Sequence, residues 1–400
     1  MHMAFLLGIP SRVQVMVFDL FNLKDFSFLD MACTDKALRD YLIGGLFVLQ
    51  GFKFVEHQDE IILSLHIVDW IATRNLSLLK SQVVICSDAV AIIDRLNNEN
   101  QKLSKIIIDL KKAKDLHNSM ADEFHSHFML LIERNRDSLR KLVLVAHWNE
   151  SPFICDDISM DVIASCKTLE HLELDTANIT FNKIVTLYQS NPRLNFVNLS
   201  GRGVRFTHSV STNELNWFHS AICFPIVRSD MNMFFNEHCR GIERFTFGSF
   251  SPSLNIKVFQ LIAINSIDTL WKVCLWDQCR HDTHKLIEWC PNVTDLELKT
   301  TSTDESFSMS NYSEENKPTM VELCKQPTNI RRLAVHGCFF NGPELQMFVD
   351  KNLQLEELAI YKDIWTTEKR TKIALSRLMN HISKQNKAQG RTRLKLSNLE

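Results

Sequence analysis

The chain has 400 residues, of which 45% are hydrophobic and 23% are charged, and its formal net charge is −2 at pH 7. A nearly neutral chain lacks the broad positive charge that nucleic acids and anionic lipids attract, so we expect neither as a partner. No run approaches the roughly 18 apolar residues that predict a membrane helix. Its eleven cysteines form no evident even framework of disulfides, so we expect reduced thiols in the cytoplasm or the nucleus.

The first segment, residues 1–45, predicts short helices. Val13, Val17 and Phe21 fall at helical spacing and form one apolar face. Asp25 is a suitable N-cap for the helix that follows. Such a short segment buries little apolar surface by itself, so it needs a neighbour or a partner.

The N-terminal segment contains Ile9 with Pro10, Phe21 at the end of the first predicted helix, Asp25 with Phe26, Ala32 with Cys33, and Leu38 with Arg39. In these residues the segment resembles an F-box. Ser11 and Arg12 depart from the family, which has an acidic residue after its opening Leu-Pro, and Leu38 replaces the usual Trp. The resemblance implies docking on a Skp-type adaptor that links to a cullin complex. By resemblance, the adaptor-facing residues are Ile9, Pro10, Val13, Val17, Phe21 and Phe26. The alternative is that residues 9–43 only cap the repeats that follow.

The second segment, residues 46–400, predicts a repeat of strand and helix. Leu169, Leu172 and Leu174 have the spacing L-x-x-L-x-L, whose alternating end is typical of a short half-buried strand. An apolar helical face follows, and Pro192 predicts where that helix ends. The spacing returns at Leu194, which completes one repeat.

The same spacing recurs along the chain. Its further starting positions are Leu103, Leu139, Ile242, Leu270, Val293, Ile330 and Leu355, with weaker strands at Val83/Ile85 and Leu394/Leu396. Several successive starts lie 23 to 30 residues apart, which is close to the usual period of about 20–29 residues for leucine-rich repeats. The longer interval before Ile242 predicts an insertion or a missed repeat, with a candidate strand near 224–227.

Three cysteines, Cys166, Cys239 and Cys290, each precede the first apolar position of a strand by three residues. This pattern resembles the cysteine-containing class of leucine-rich repeats. The resemblance implies an α/β solenoid shaped as a horseshoe, with a parallel sheet on its concave face and helices outside. A polar stretch at 300–318 predicts a flexible loop, and a basic helix near 365–389 is expected to close the end of the solenoid.

The motifs predict no catalytic chemistry, so we expect no enzyme activity and no cofactor. No glycine-rich phosphate loop and no hydrolase nucleophile motif occurs. The best zinc candidate combines Cys274, Cys279, His281 and His284. Cys274 belongs to a repeat strand and Cys279 to the bend after it, so these ligands diverge and we expect no metal.

In the repeat architecture, residues between the core positions of each strand face outward and can contact a partner. The expected partner-binding residues are His171, Glu173, Arg244, Lys272, Trp276, Glu297, Arg332, Glu357 and Tyr361. Both charge signs occur, which favours a protein surface over a polyanion.

Together these features predict a non-catalytic recognition subunit, with an unknown protein substrate on the repeats. An F-box-like segment followed by repeats predicts a substrate receptor of a cullin-type ubiquitin ligase. The first alternative is a leucine-rich-repeat scaffold or regulatory binding protein with no ligase link, in which the N-terminal helices act only as a cap. The second is a regulator of an enzyme, such as a GTPase activator.

Overall fold

Strands alternate with helices along most of the described chain. The computed structural model describes residues 61–73, 78–79, 81–112, 120–146, 154–175, 177–201, 204–219, 228–249, 252–276, 282–299, 321–336, 342–361, 377, 380–381, 384 and 395–399. The chain divides into two compact units. The first comprises Met1–Ile179 and Thr186–Leu194, and the second comprises Thr180–Val185 and Asn195–Glu400.

The first unit contains a parallel sheet of five described strands. These are β1 (Ile61–Leu63), β2 (Gln82–Ile85), β3 (Lys105–Asp109), β4 (Lys141–Val145) and β5 (His171–Leu174). The helices between them are α1 (Leu65–Thr73), α2 (Ala89–Asn98), α3 (Ala121–Asn135) and α4 (Asp157–Ala164). Alternation places every second strand residue in the core, so Leu142 pairs in register with Leu172 and both are buried.

The second unit begins with an antiparallel arrangement and continues as a parallel sheet. Strands β6 (Phe196–Gly201), β7 (Val204–Ser209) and β8 (Glu214–His219) are antiparallel neighbours. From β8 onward, each strand pairs in parallel with the next one along the chain. The strands after β8 are β9 (Arg244–Ser249), β10 (Lys272–Trp276), β11 (Asp295–Lys299), β12 (Arg332–His336), β13 (Glu357–Tyr361) and β14 (Lys395–Leu399).

Helices separate the parallel strands of the second unit. They are α6 (Arg228–His238), α7 (Pro252–Ser266), α8 (Thr283–Trp289), α9 (Val321–Lys325) and α10 (Gly342–Lys351). Helix α5 (Phe181–Ser190) has residues in both units. The mostly parallel strands that alternate with helices are consistent with a solenoid-like repeat.

The strands predicted from the apolar spacing are confirmed, and so is the helix between Leu174 and Leu194. The first apolar position of each strong match is buried, as are Cys166, Cys239 and Cys290. The spacing did not reveal β1, β7 or β8. The interval before Ile242 contains the antiparallel β7 and β8, and the candidate strand near 224–227 lies outside the described residues.

A polar side chain closes several helices and links each to the turn that precedes the strand of the same repeat. Asn135 accepts a hydrogen bond from the Leu103 amide at 2.7 Å and donates to the Leu131 carbonyl at 2.8 Å. Asn352 accepts from the Thr328 amide at 2.7 Å in the same manner. These side chains satisfy amides that the turns would otherwise leave buried without a partner.

An aromatic cluster fills the core beside the antiparallel strands. Trp217 stacks on Phe181 with ring centroids 4.9 Å apart, and it meets Phe247 edge-on at 5.6 Å. Phe234 packs edge-on against both Phe181 and Phe206. Large rings therefore occupy the space that a regular repeat fills with aliphatic side chains.

Two of the predicted segments, 1–45 and 300–318, lie outside the described residues. The predicted helix near 365–389 lies mostly outside them, and its described residues 377, 380–381 and 384 are helical. No described helix combines the length and apolar content that crossing a membrane requires.

Candidate functional site

Apart from Tyr361, the predicted partner-binding residues of the second unit lie on one side of its sheet. Phe245 and Phe247 on β9 pack against Phe259 of α7, so that side of the strand carries the core. Arg244 and Thr246 alternate with them and point to the opposite side. We call this opposite side the non-helical face of the second sheet.

A first row of charged residues crosses the non-helical face at the beginning of the strands. Parallel register aligns the members of this row in the order Arg244, Lys272, Asp295, Arg332 and Glu357. Neighbouring strands lie about 4.8 Å apart, so these side chains can form ion pairs across the sheet.

Arg332 is the most strongly paired cation of this row. Its Nη1 lies 2.9 Å from Asp295 Oδ1, and its Nε lies 3.5 Å from Glu357 Oε2. Partial burial lowers the pKa of the Arg332 guanidinium, but the carboxylates of Asp295, Glu357 and Glu297 outweigh it and raise that pKa overall. Lys272 Nζ approaches Asp295 Oδ2 at 3.8 Å. The Asp295 carboxylate therefore lies close to two cations, Arg332 and Lys272.

A second row runs parallel to the first and is largely buried. Its members in register are Thr246, Cys274, Glu297, Ala334 and Ala359. The predicted binding residue Glu297 is 7% exposed and lies 3.4 Å from Lys299 Nζ, so an ion pair within the chain already engages its carboxylate. The small Ala334 and Ala359 keep this part of the face flat.

The remaining predicted residues lie at the strand ends or in the first unit. Trp276 ends β10, is half-buried and aligns with Lys299. Tyr361 ends β13, and its side chain is outside the described set. His171 and Glu173 belong to β5 in the first unit, where His171 Nε2 and Glu173 Oε1 are 2.6 Å apart. The structure therefore groups seven predicted residues in the second unit and two in the first.

The six predicted adaptor-binding residues, Ile9 to Phe26, lie outside the described residues. So do Cys279 and His281 of the zinc candidate, whereas Cys274 lies on the non-helical face and His284 lies in α8.

Buried thiols provide no activated nucleophile at the positions described. Burial, with a smaller contribution from the Glu297 carboxylate, raises the pKa of Cys274 to about 12. Burial also raises the pKa of Cys155 and of Cys290 to about 12. A thiol with so high a pKa stays protonated at neutral pH and reacts slowly.

Sequence reasoning missed Trp271, which directly precedes β10. The Arg244 guanidinium lies over the Trp271 ring, 5.4 Å from its centroid. The sequence did contain a signal for this contact, namely an aromatic residue directly before the first polar residue of a strand. The repeat spacing, however, assigns that position to the turn.

No protein-family model matches this chain, and a search of curated proteins found no match either.

Proposed function

We propose that this chain is a non-catalytic protein-recognition subunit that binds its partner on the non-helical face of the second sheet. The single observation that carries the proposal is the first row, in which five strands align Arg244, Lys272, Asp295, Arg332 and Glu357. A line of both charge signs complements another protein surface better than it complements a polyanion.

The repeats belong, in this proposal, to the cysteine-containing class of leucine-rich repeats. Support comes from the buried thiols of Cys166, Cys239 and Cys290, each located between a helix and the next strand. A small, weakly polar side chain packs well at such a transition.

A finer proposal is that the chain acts in the cytoplasm or nucleus as the substrate receptor of a cullin-type ubiquitin ligase. It rests on the F-box-like residues Ile9 to Phe26 and on their position ahead of the repeats. In this arrangement the N-terminal segment docks on the adaptor while the repeats hold the substrate.

Adaptor binding tests this finer proposal. The purified chain should capture a Skp-type adaptor, and the double change Pro10→Asp with Phe21→Lys should abolish capture because it places charges in an apolar interface. The control carries the same charges at exposed apolar sites, Leu353→Asp with Ile264→Lys, and should bind as the wild type does.

The outcomes distinguish a ligase receptor from a repeat protein whose N-terminal segment is only a cap. Absence of adaptor binding, or equal binding by both double variants, would reject the ligase proposal. In that case, removal of residues 1–43 should lower the melting temperature without removing a repeat-bound partner, as expected for a cap.

A further inference from the structure

The cations of the first row differ in how fully carboxylates of the chain neutralise them. Two carboxylates hold Arg332, and Lys272 approaches Asp295. Arg244 is exposed and forms no ion pair with any residue in the described ranges. Its guanidinium has the five N–H donors that suit a bidentate acceptor, and these donors remain available to a partner.

Trp271 gives Arg244 a fixed platform. The Trp271 amide donates to the Glu243 carbonyl at 3.1 Å, and the Trp271 carbonyl accepts from the Thr294 amide at 2.9 Å. The backbone of Trp271 is thus hydrogen-bonded to both neighbouring repeats. A guanidinium over an indole face keeps its N–H edge free, and ordering it in advance reduces the entropy lost on binding.

Neighbouring charges favour a ligand with one negative charge. Lys272 aligns with Arg244 on one side and adds positive charge, whereas Glu214 aligns with it on the other side. Asp295 follows Lys272 in the row. A dianionic phosphate near these two carboxylates would meet more repulsion than a single carboxylate meets.

We infer that Arg244, supported by Trp271, is a recognition point for a carboxylate in an acidic segment of the protein partner. This inference rests on the proposed protein-recognition function and deepens it by naming the partner's chemistry. Arg244 makes the bidentate contact, Lys272 adds attraction, and Trp271 is a positioning residue.

Fluorescence anisotropy with labelled peptides tests the inference on the full chain. The probe is a ten-residue peptide of alternating glutamate and alanine, and its counterpart has glutamine in place of each glutamate. We expect the glutamate peptide to bind more tightly, and this preference to shrink as salt is raised, because the attraction is between exposed charges.

Variants identify the residue responsible. Arg244→Gln should weaken binding of the glutamate peptide about tenfold, the size expected for a lost charge-assisted contact. Arg331→Gln makes the same charge change at an exposed arginine next to the first row and should weaken it less than about twofold. Trp271→Leu should give an intermediate loss, and Arg244→Lys should recover only part of the affinity because it cannot bind in a bidentate manner. Thermal melting confirms that each variant is folded.

Three results would overturn the inference. The first is that the chain binds both peptides equally or binds neither. The second is that Arg244→Gln and Arg331→Gln lose the same amount of affinity for the glutamate peptide. The third is that a phosphoserine peptide binds more tightly than the glutamate peptide and that this binding depends on Arg244. Because no adaptor is present, a negative result leaves the ligase proposal standing. A failure to capture the adaptor likewise leaves the peptide result intact.

Discussion

Asn135 and Asn352 show how single side chains join the end of a helix to the beginning of its repeat. Each lies at the end of a helix, is buried, and hydrogen-bonds both its own helix and the turn that precedes the strand of the same repeat. Ser266 occupies the same position with a hydroxyl, which bonds the turn alone: it accepts from the Ile242 amide at 3.0 Å and donates to the Cys239 carbonyl at 3.3 Å. Cysteine and polar residues therefore alternate at one structural position.

Replacement of these asparagines should be costly. Asn135→Ala leaves the buried Leu103 amide without its acceptor, and we expect the free energy of unfolding to fall by about 1–3 kcal/mol. Asn98→Ala is the control, because Asn98 is exposed at the end of α2 and its side chain bonds Asp94 in its own helix; it should cost less than about 0.5 kcal/mol. Denaturant titration measures both. Similar losses in the two variants would contradict this role for Asn135.

At the residue scale the sequence predicted the buried cysteines but not the equivalent asparagines. Asn135 precedes Leu139 by four positions, whereas Asn352 precedes Leu355 by three, just as Cys166 precedes Leu169. The hydrogen bonds that define the shared role join residues 32 positions apart in the chain. Spacing along one repeat contains no information on such a contact.

Among the elements, the antiparallel pair β7 and β8 departs most from the repeat. Each strand places alternate residues in the core, for example Phe206 on β7 and Trp217 on β8. The two-residue alternation of apolar side chains that is typical of a strand is therefore present. The turn between the strands reaches Asn213, whose φ of 48° is left-handed and suits asparagine. The repeat pattern of the sequence does not predict these two strands, because that pattern has a helix between successive strands and an antiparallel hairpin has none.

His208 on β7 makes this insertion sensitive to acid. The imidazole is buried near Phe234, and burial, followed by the charge of His238, lowers its pKa from 6.5 to about 4. Burial also lowers the pKa of His238, although Glu237 opposes this. The unfolded chain binds a proton at His208 more readily than the folded chain does.

Stability should therefore fall as pH drops from 6.5 towards 4. For His208 alone the expected loss in unfolding free energy between pH 7.5 and pH 5 is about 2 kcal/mol. His208→Gln should flatten this dependence, whereas His284→Gln, a half-buried histidine in α8, should retain it. Urea titrations at the two pH values measure the difference. An unchanged slope in His208→Gln would contradict the assignment.

For the molecule as a whole, the two units present different non-helical faces. In the first unit, Ile62, Val84, Ile107 and Val143 align in one apolar row. In the second unit, the row at the same strand position is the second row, which contains Glu297 and is not uniformly apolar. Strand alternation allowed the sequence to predict which residues of β9 to β13 leave the core. It could not predict that Asp295 and Glu357 would engage Arg332, because that depends on register between strands.

The central claim is that a protein partner binds the non-helical face of the second sheet, and site-specific photocrosslinking tests it most directly. The photoreactive p-benzoylphenylalanine replaces Thr246 on that face or, in the matched control, the exposed Gln260 on α7 of the same repeat. Irradiation in cells followed by mass analysis should give a specific protein adduct from the Thr246 site and none from the Gln260 site. An adduct from the Gln260 site alone, equal adducts from both sites, or no adduct from either would contradict the claim.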